Sequence, residues 1–448
     1  MTQLQKELKS SATARWTALF IVSITMMFAY FFTDVMAPLE PILTTKMGWT
    51  SSEYGFFSGA YGLLNVYLLL LFFGGIILDK FGIRFTGLMS TGLMFAGAII
   101  KYWAVSHTFE GSMWVPFGGE CQMQVVWAAL GFSIYGVGAE IAGITVSKVI
   151  VKWFTGYELA LAMGLQVALA RIGTAAALGA SLPLANALGG VAAPVGLGAA
   201  CLCIGVVSFL VYNVMDRRQD ASAASSSESE VEEGFKFSDL RILFTSSGFW
   251  CITLLCLMFY AGVFPFLKFS TKLMIFKYEV DENIAGLIPA MLPFGTIFLT
   301  PFFGRIYDKY GHGAMLMLVG SVLLTIVHIV FSLPISNWIL AICAMVILGI
   351  AFGLVPSAMW PSVPKIIPMK LLGTAYALIF YIQNIGLAMV PMWIGAVNDK
   401  NTDPTGFIDY TEAMTIFACF GIVAILLSVL LLRLDHTKHY GLEEKNQK

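Results

Sequence analysis

A carboxylate and a guanidinium stand inside two long apolar runs of this 448-residue chain. Glu140 lies in GFSIYGVGAEIAGITVSKVI and Arg171 in AMGLQVALARIGTAAALG. An ionisable side chain in such a run is expensive in lipid, and where it persists it faces a cavity or a partner. The two residues can be each other's partner, as a structural ion pair. A buried pair rarely gains stability over an apolar pair of similar volume, so retention of both suggests another use. Held apart on one cavity wall, Glu140 would take an ammonium group and Arg171 would grip a carboxylate with its planar fork. That arrangement suits a zwitterion. Amino acids and short peptides carry both groups; sugars carry neither, and simple dicarboxylates would want cations without Glu140.

The elements that must position this pair are membrane-spanning helices. Hydrophobic residues make up 58% of the chain and charged residues 12%, with a mean hydropathy of +0.81. Soluble domains carry about 25% charged residues. Apolar runs of about 20 residues, enough to cross a bilayer with every backbone group bonded internally, recur along the chain. Helices are expected at roughly 16–38, 54–79, 85–104, 122–149, 158–182 and 190–215, then at 247–272, 283–307, 313–333, 337–360, 371–397 and 411–433. Between these sets ASAASSSESEVEEG cannot bury apolar area and reads as a solvated linker. The domains are therefore an N-terminal six-helix bundle at 1–215, a cytoplasmic acidic, Ser-rich linker at 216–241, and a C-terminal bundle with a cytoplasmic tail at 242–448. The fold class is an all-α polytopic membrane protein of twelve transmembrane helices in two six-helix bundles. With the N-terminus cytoplasmic, 19 Lys and Arg fall on that side and six on the other (Lys46, Lys101, Lys268, Lys272, Lys277 and Lys400). The bias puts both termini in the cytoplasm.

A repeat supports the two halves. Gly75, Asp79, Lys80 and Gly82, followed by Arg84, recur as Gly304, Asp308, Lys309 and Gly311, each matching glycine and aspartate 229 residues on. Glycine allows a sharp turn, and the acid can pair with nearby bases or the positive end of a facing helix. This resembles the short cytoplasmic loop motif of the major facilitator superfamily, over the full chain. The resemblance implies that the site lies near the bilayer midplane between the halves and works by alternating access. It also implies that Asp79, Lys80 and Arg84, and more weakly Asp308, help hold the cytoplasmic side shut; simple orienting loop charges are the alternative. A monomer is the superfamily's usual state.

GAEIAGITVSKVIVKWF, GLQVALARIG, AMWPSVPKIIP and LGTAYALIFYIQNIGLAM, with DVMAPLEPIL and YAGVFPF, are similar to the lysosomal dipeptide transporters of that superfamily. There an acid on the fourth helix and an arginine on the fifth bind the dipeptide termini, which here match Glu140 and Arg171. The resemblance implies a dipeptide substrate moved by facilitated uniport. Further candidates are Gln383, Asn384 and Tyr376 on the eleventh span and Asn65 and Tyr61 on the second, where a polar group bonds either a peptide or a neighbouring helix. Trp360 is a cavity wall, an inner-gate residue or an interfacial belt residue. Asp34 and Lys268, near the outer ends of the first and seventh helices, are an outer-gate pair or plain interfacial charges. His328 on the ninth helix is read as packing rather than as a proton relay.

The residues leave rivals open: a proton-coupled peptide or amino-acid symporter in which Glu140 titrates, an organic-anion exchanger using Arg171, and a non-transporting membrane receptor or scaffold. The chain contains no Walker-type phosphate loop, no metal-ligand spacing, no nucleophile–base set and no basic block for nucleic acid, so neither an enzyme nor a cofactor is expected. The partners expected are the dipeptide and the lipid bilayer. With no Asn-x-Ser/Thr acceptor and no acidic dileucine signal, a bacterial cytoplasmic membrane is favoured over a lysosome.

Overall fold

The computed structural model describes residues 11–154, 157–223, 240–368 and 371–445. Most of the expected linker, 224–239, lies outside the described residues, as do Lys6, Lys9, Lys236, Lys370 and Lys448 of the charge count.

Helix α1 (Ala12–Asp34) is capped by the Ser11 hydroxyl and passes through a single 3-10 turn (Ala37–Leu39) into α2 (Glu40–Lys46). Helix α3 (Ser51–Tyr67) starts at a capping box: Thr50 accepts from the Glu53 amide at 3.1 Å and Glu53 accepts from the Thr50 amide at 2.9 Å. The two side chains thereby satisfy amides that the first turn leaves without partners. Helix α4 (Leu70–Ser106) follows Leu69, whose φ is 53°. The expected span 54–79 is therefore two pieces, α3 and the segment 70–81, and α4 continues through the expected third span.

The join within α4 is Gly82, at φ 75° and ψ 176°, a region open to glycine alone. Its counterpart Gly311 has φ 76°. The repeated glycine is thus the chain reversal in both halves, and this explains its fixed distance from Asp79 and Asp308.

A two-stranded hairpin, β1 (Ser112–Val115) and β2 (Gly119–Gln122), corrects the all-α expectation locally. It connects α4 to α5 (Met123–Phe154), followed by α6 (Leu159–Leu188) and α7 (Ala192–Ala223). The C-terminal half contains α8 (Leu240–Thr245), α9 (Ser247–Phe276), α10 (Glu282–Ala285), α11 (Leu287–Tyr310), α12 (Gly313–Ser332), α13 (Trp338–Ile366), α14 (Leu372–Lys400) and α15 (Thr411–Lys438). Among the described residues, eleven helices are long and apolar enough to cross a membrane, and the broken α3 accounts for the remaining expected span. The protein is a multi-pass helical membrane protein.

Two sequence assignments need correction. The linker does not begin at 216, because α7 continues to Ala223. Its polar end is held by ions rather than apolar burial: Asp216 and Asp220 each receive Lys152 at 2.7 Å, and Arg84 reaches them at 3.5 and 2.8 Å. Likewise Lys101, Lys268 and Lys272 are not loop charges. They lie within α4 and α9, and Lys101 and Lys272 are buried.

The halves meet along α3 and α14. A Cβ on Gly59 would fall on the Ala388 carbonyl, one on Gly55 on the Pro391 carbonyl, and one on Gly395 on the Ser51 carbonyl. Small residues let the two backbones touch, as packing in lipid favours. Gly59→Val should strain this seam by about 1–3 kcal/mol, the usual size of an overpacking penalty. The expected outcome is separation of α3 from α14, read as faster labelling by a water-soluble thiol reagent of a cysteine placed at Ser58. Gly92→Val, at a position with open space, should leave the labelling unchanged.

Candidate functional site

A cavity of about 630 Å³ lies between the halves. Its wall comes from α1, α3, α5 and α6 on one side and from α9, α11, α13 and α14 on the other. Glu140 and Arg171 both line it and do not bond each other. Glu140 Oε1 accepts from the Tyr61 hydroxyl at 2.9 Å. Among the described residues Arg171 makes no hydrogen bond or ion pair. Its guanidinium lies 5.3 Å from the Phe352 ring centre and 5.8 Å from that of Phe264. Those ring faces attract the cation while leaving its five donors unused. One wall therefore offers an acceptor, and another a forked donor, to whatever enters.

Tyr61, Gln383, Asn384, Trp360, Asp34 and Lys268 also line the cavity. Asn65 and Tyr376 do not: Asn65 donates to the Gly136 carbonyl at 3.3 Å, and Tyr376 donates to the Trp360 carbonyl at 3.0 Å. Both belong to helix packing. Gln383 accepts from the Cys256 thiol at 3.3 Å, and Trp360 Nε1 donates to the Tyr260 hydroxyl at 3.2 Å. His328 is buried, with Nε2 2.8 Å from the Gly262 carbonyl and its ring stacked on Phe417, so it serves packing. Sequence reasoning did not single out Tyr30, Tyr260, Phe264, Phe352 and Phe380 as wall residues. A usable signal was present nonetheless. Pro265, Pro301, Pro356 and Pro391 all lie inside helices at the cavity, each leaving one backbone carbonyl without its helical donor.

The cavity is shut at the end away from the repeated glycine turns. Lys268 Nζ meets Asp34 Oδ1 at 2.6 Å and the Thr33 carbonyl at 3.1 Å. One turn along α9, Lys272 meets Glu40 at 3.2 Å and the Ser51 hydroxyl at 3.3 Å. Asp399 of α14 accepts from the Ser51 and Ser52 amides at 2.7 Å each, a carboxylate capping the N-terminus of α3 from the opposite half. Toward the glycine turns the wall continues through Met163, Gln166, Thr300 and Trp360.

At the glycine-turn face, the motif residues bond within the N-terminal half. Asp79 takes Lys148 at 2.6 Å, Arg84 takes Asp216 and Asp220, and Lys80 Nζ lies 5.5 Å from the Phe81 ring centre. Asp308 ends α11 beside Gly311. The pairs of Asp79 and Arg84 are with α5 and α7, and they do not bridge the halves in this conformation.

Two bundles around a central cavity, closed at one end, with a glycine-turn motif in each, match a known family. The Major Facilitator Superfamily model matches residues 19–391. The chain belongs to the Major Facilitator Superfamily. Such proteins are membrane transporters and not enzymes. The lysosomal dipeptide transporter MFSD1 of Danio rerio is 28% identical over 432 residues, covering 92% of this chain and 86% of that protein. Its Homo sapiens counterpart is 27% identical over 424 residues, covering 92% and 84%. Among solved structures, a bacterial homologue of the human lysosomal transporter Spinster, inward-facing and unoccupied, aligns with a TM-score of 0.72 at 14% identity, covering 94% of this chain and 98% of that one. The POT family transporter PepTSo aligns with a TM-score of 0.69 at 14% identity, covering 94% and 98%. Both structures share this superfamily fold.

Removing one partner of a buried pair leaves the other charge stranded, at a cost of about 3–5 kcal/mol. Lys268→Gln should therefore loosen the closed end, read as at least about a tenfold rise in labelling of a cysteine placed at Thr33 by an impermeant reagent added from that side. The charge-swapped pair Asp34→Lys with Lys268→Asp should restore slow labelling. Unchanged labelling in Lys268→Gln and Asp34→Asn alike would remove this pair from the gate.

Proposed function

We propose that this transporter moves dipeptides by alternating access, as a facilitated uniporter. The observation that carries the reading is the separation of Glu140 and Arg171 on one cavity without mutual pairing. The peptide ammonium meets the Glu140 carboxylate, which Tyr61 orients, and the peptide carboxylate meets the Arg171 fork. Gln383 and Asn384 are placed to bond the peptide linkage, and the rings of Tyr260, Phe264 and Trp360 line the space left for side chains. A volume of about 630 Å³ is within the usual range for a small-ligand site. The dipeptide transporters named among the relatives support the same cargo.

In this reading the closed end is the outer gate, and Asp34 and Lys268 are its latch. The Asp79–Lys148 and Arg84–Asp216 contacts brace the N-terminal half while the cytoplasmic face is open. The charge bias of the loops puts both termini in the cytoplasm. A monomer has a complete site.

The test is binding by the purified protein, followed by thermal shift, with amino acids, dipeptides and tripeptides. Dipeptides should raise the melting temperature of the wild type, and blocking either terminus should abolish the shift. Glu140→Gln and Arg171→Ala should each weaken binding by at least about tenfold, since a charged hydrogen bond is worth about 1.5–3 kcal/mol. Dipeptide stabilisation that survives both substitutions would refute the site. In liposomes, counterflow of labelled dipeptide should be indifferent to a pH gradient; dependence on the gradient would favour the proton-coupled rival.

A further inference from the structure

Lys101 is fully buried in α4, with Nζ 4.2 Å from the ring centres of both Phe32 and Phe132. Its hydrogen bond goes to the Phe32 carbonyl at 3.3 Å. Among the described residues it makes no ion pair. An isolated cation in such a place is disfavoured by the loss of water, and the ring faces recover only part of that loss. The position of its single acceptor suggests why a lysine is there.

Phe32 is in the last turn of α1. The next carbonyl, Thr33, receives Lys268 at 3.1 Å, and the next side chain, Asp34, receives the same ammonium at 2.6 Å. Two ammonium groups, one from each half, thus converge with one carboxylate on three consecutive residues. Asp34 attracts Lys101 and Lys268 repels it. While the gate is closed, the Glu40–Lys272 pair one turn away is balanced and adds no net charge.

We propose that Lys101 is a positioning residue of the outer gate, the standing counter-cation that answers Asp34 when Lys268 withdraws. This rests on the reading that the halves alternate. With the gate closed, two cations share one anion. With α9 swung away, Lys268 and Lys272 leave together, and the N-terminal half retains Lys101 beside Asp34 and Glu40. Lys101 therefore repels Lys268 in the closed gate and compensates Asp34 in the open one. Both effects favour opening, and both disappear when its charge is removed.

The full-length protein in nanodiscs tests this, with nitroxides at Thr108→Cys and Ser336→Cys, exposed positions at the outer ends of the two halves. Exposed native Cys203, Cys343 and Cys419 are replaced first. Pulsed electron–electron distances give the ratio of outer-open to outer-closed molecules. Lys101→Met should lower that ratio at least about fivefold, the low end of coupling between linked sites. Lys101→Gln retains a donor for the Phe32 carbonyl without the charge. It should lower the ratio as much while keeping a melting temperature nearer wild type, which separates the gate effect from lost packing. In an Asp34→Asn background the part owed to Asp34 is lost, so the shift should shrink. A wild-type ratio in Lys101→Met, a wild-type ratio in Lys101→Gln, or equal shifts in the two Asp34 backgrounds would each overturn the proposal. If the wild type itself shows a single distance under every condition, alternation falls along with this inference. If two distances interchange without any response to dipeptide, the cargo assignment falls and the role of Lys101 is judged on its own ratio.

Discussion

A charge within a bilayer must find an opposite charge, water or a ligand, and apart from Lys101, held by a carbonyl and ring faces, the interior ions of this protein are arranged accordingly. Lys272 and Glu40 have each other. Asp34 and Lys268 have each other and the edge of the cavity. Glu140 and Arg171 have a hydroxyl and two ring faces, which leaves most of their bonding capacity directed at the cavity. The helices that carry these groups must therefore surround a wet or occupied space. Packed tightly together, they would strand Glu140 and Arg171 at a cost no local contact offsets.

Backbone irregularity keeps that space open. Prolines at 265, 301, 356 and 391 each remove one backbone donor from a helix that forms the wall of the cavity in the C-terminal half, without breaking it. On the opposite side α3 breaks at Leu69 a short way beyond Tyr61, the residue that holds Glu140. A straight helix would let apolar side chains interdigitate along its whole length. Against α14, α3 stays close along its length, through Gly55 and Gly59 toward its start and through the Val66 carbonyl, which accepts from the Tyr381 hydroxyl at 3.1 Å, toward its end.

The parts of this design that depend on composition could be read from the sequence, and the parts that depend on dihedral angles could not. Apolar runs located the helices, the repeated glycine and aspartate located both chain reversals, and two ions in apolar segments pointed to the cavity. The break at Leu68 and Leu69 was invisible because it falls within YLLLLFF, where hydropathy is uniformly high. Lys101 was misplaced because a cation near the end of an apolar run looks the same whether it faces solvent or folds back among aromatic rings. The aromatic wall was hidden by abundance: with 35 phenylalanines in the chain, nothing in their type distinguishes those on the cavity from those facing lipid. Asn65 and Gln383 differ only in the direction they face around their helices, which one sequence does not specify.

The choice of ions for the closed end also has an energetic logic. An apolar gate gains about 25 cal/mol for each Å² it hides, and opening it returns all of that area to water. An ion-pair gate behaves differently, because charges that lose each other on opening gain hydration in its place. The net worth of such a pair is then a small difference between two large terms, often near zero. Asp34 with Lys268, Glu40 with Lys272, and Asp399 on the α3 amides can fix the geometry of the closed end without making it deep. The small-residue seam between α3 and α14 follows the same logic, since contact between backbones buries little apolar side chain. A closure that is specific in shape and shallow in energy suits a protein whose two faces must exchange roles with no bond made or broken.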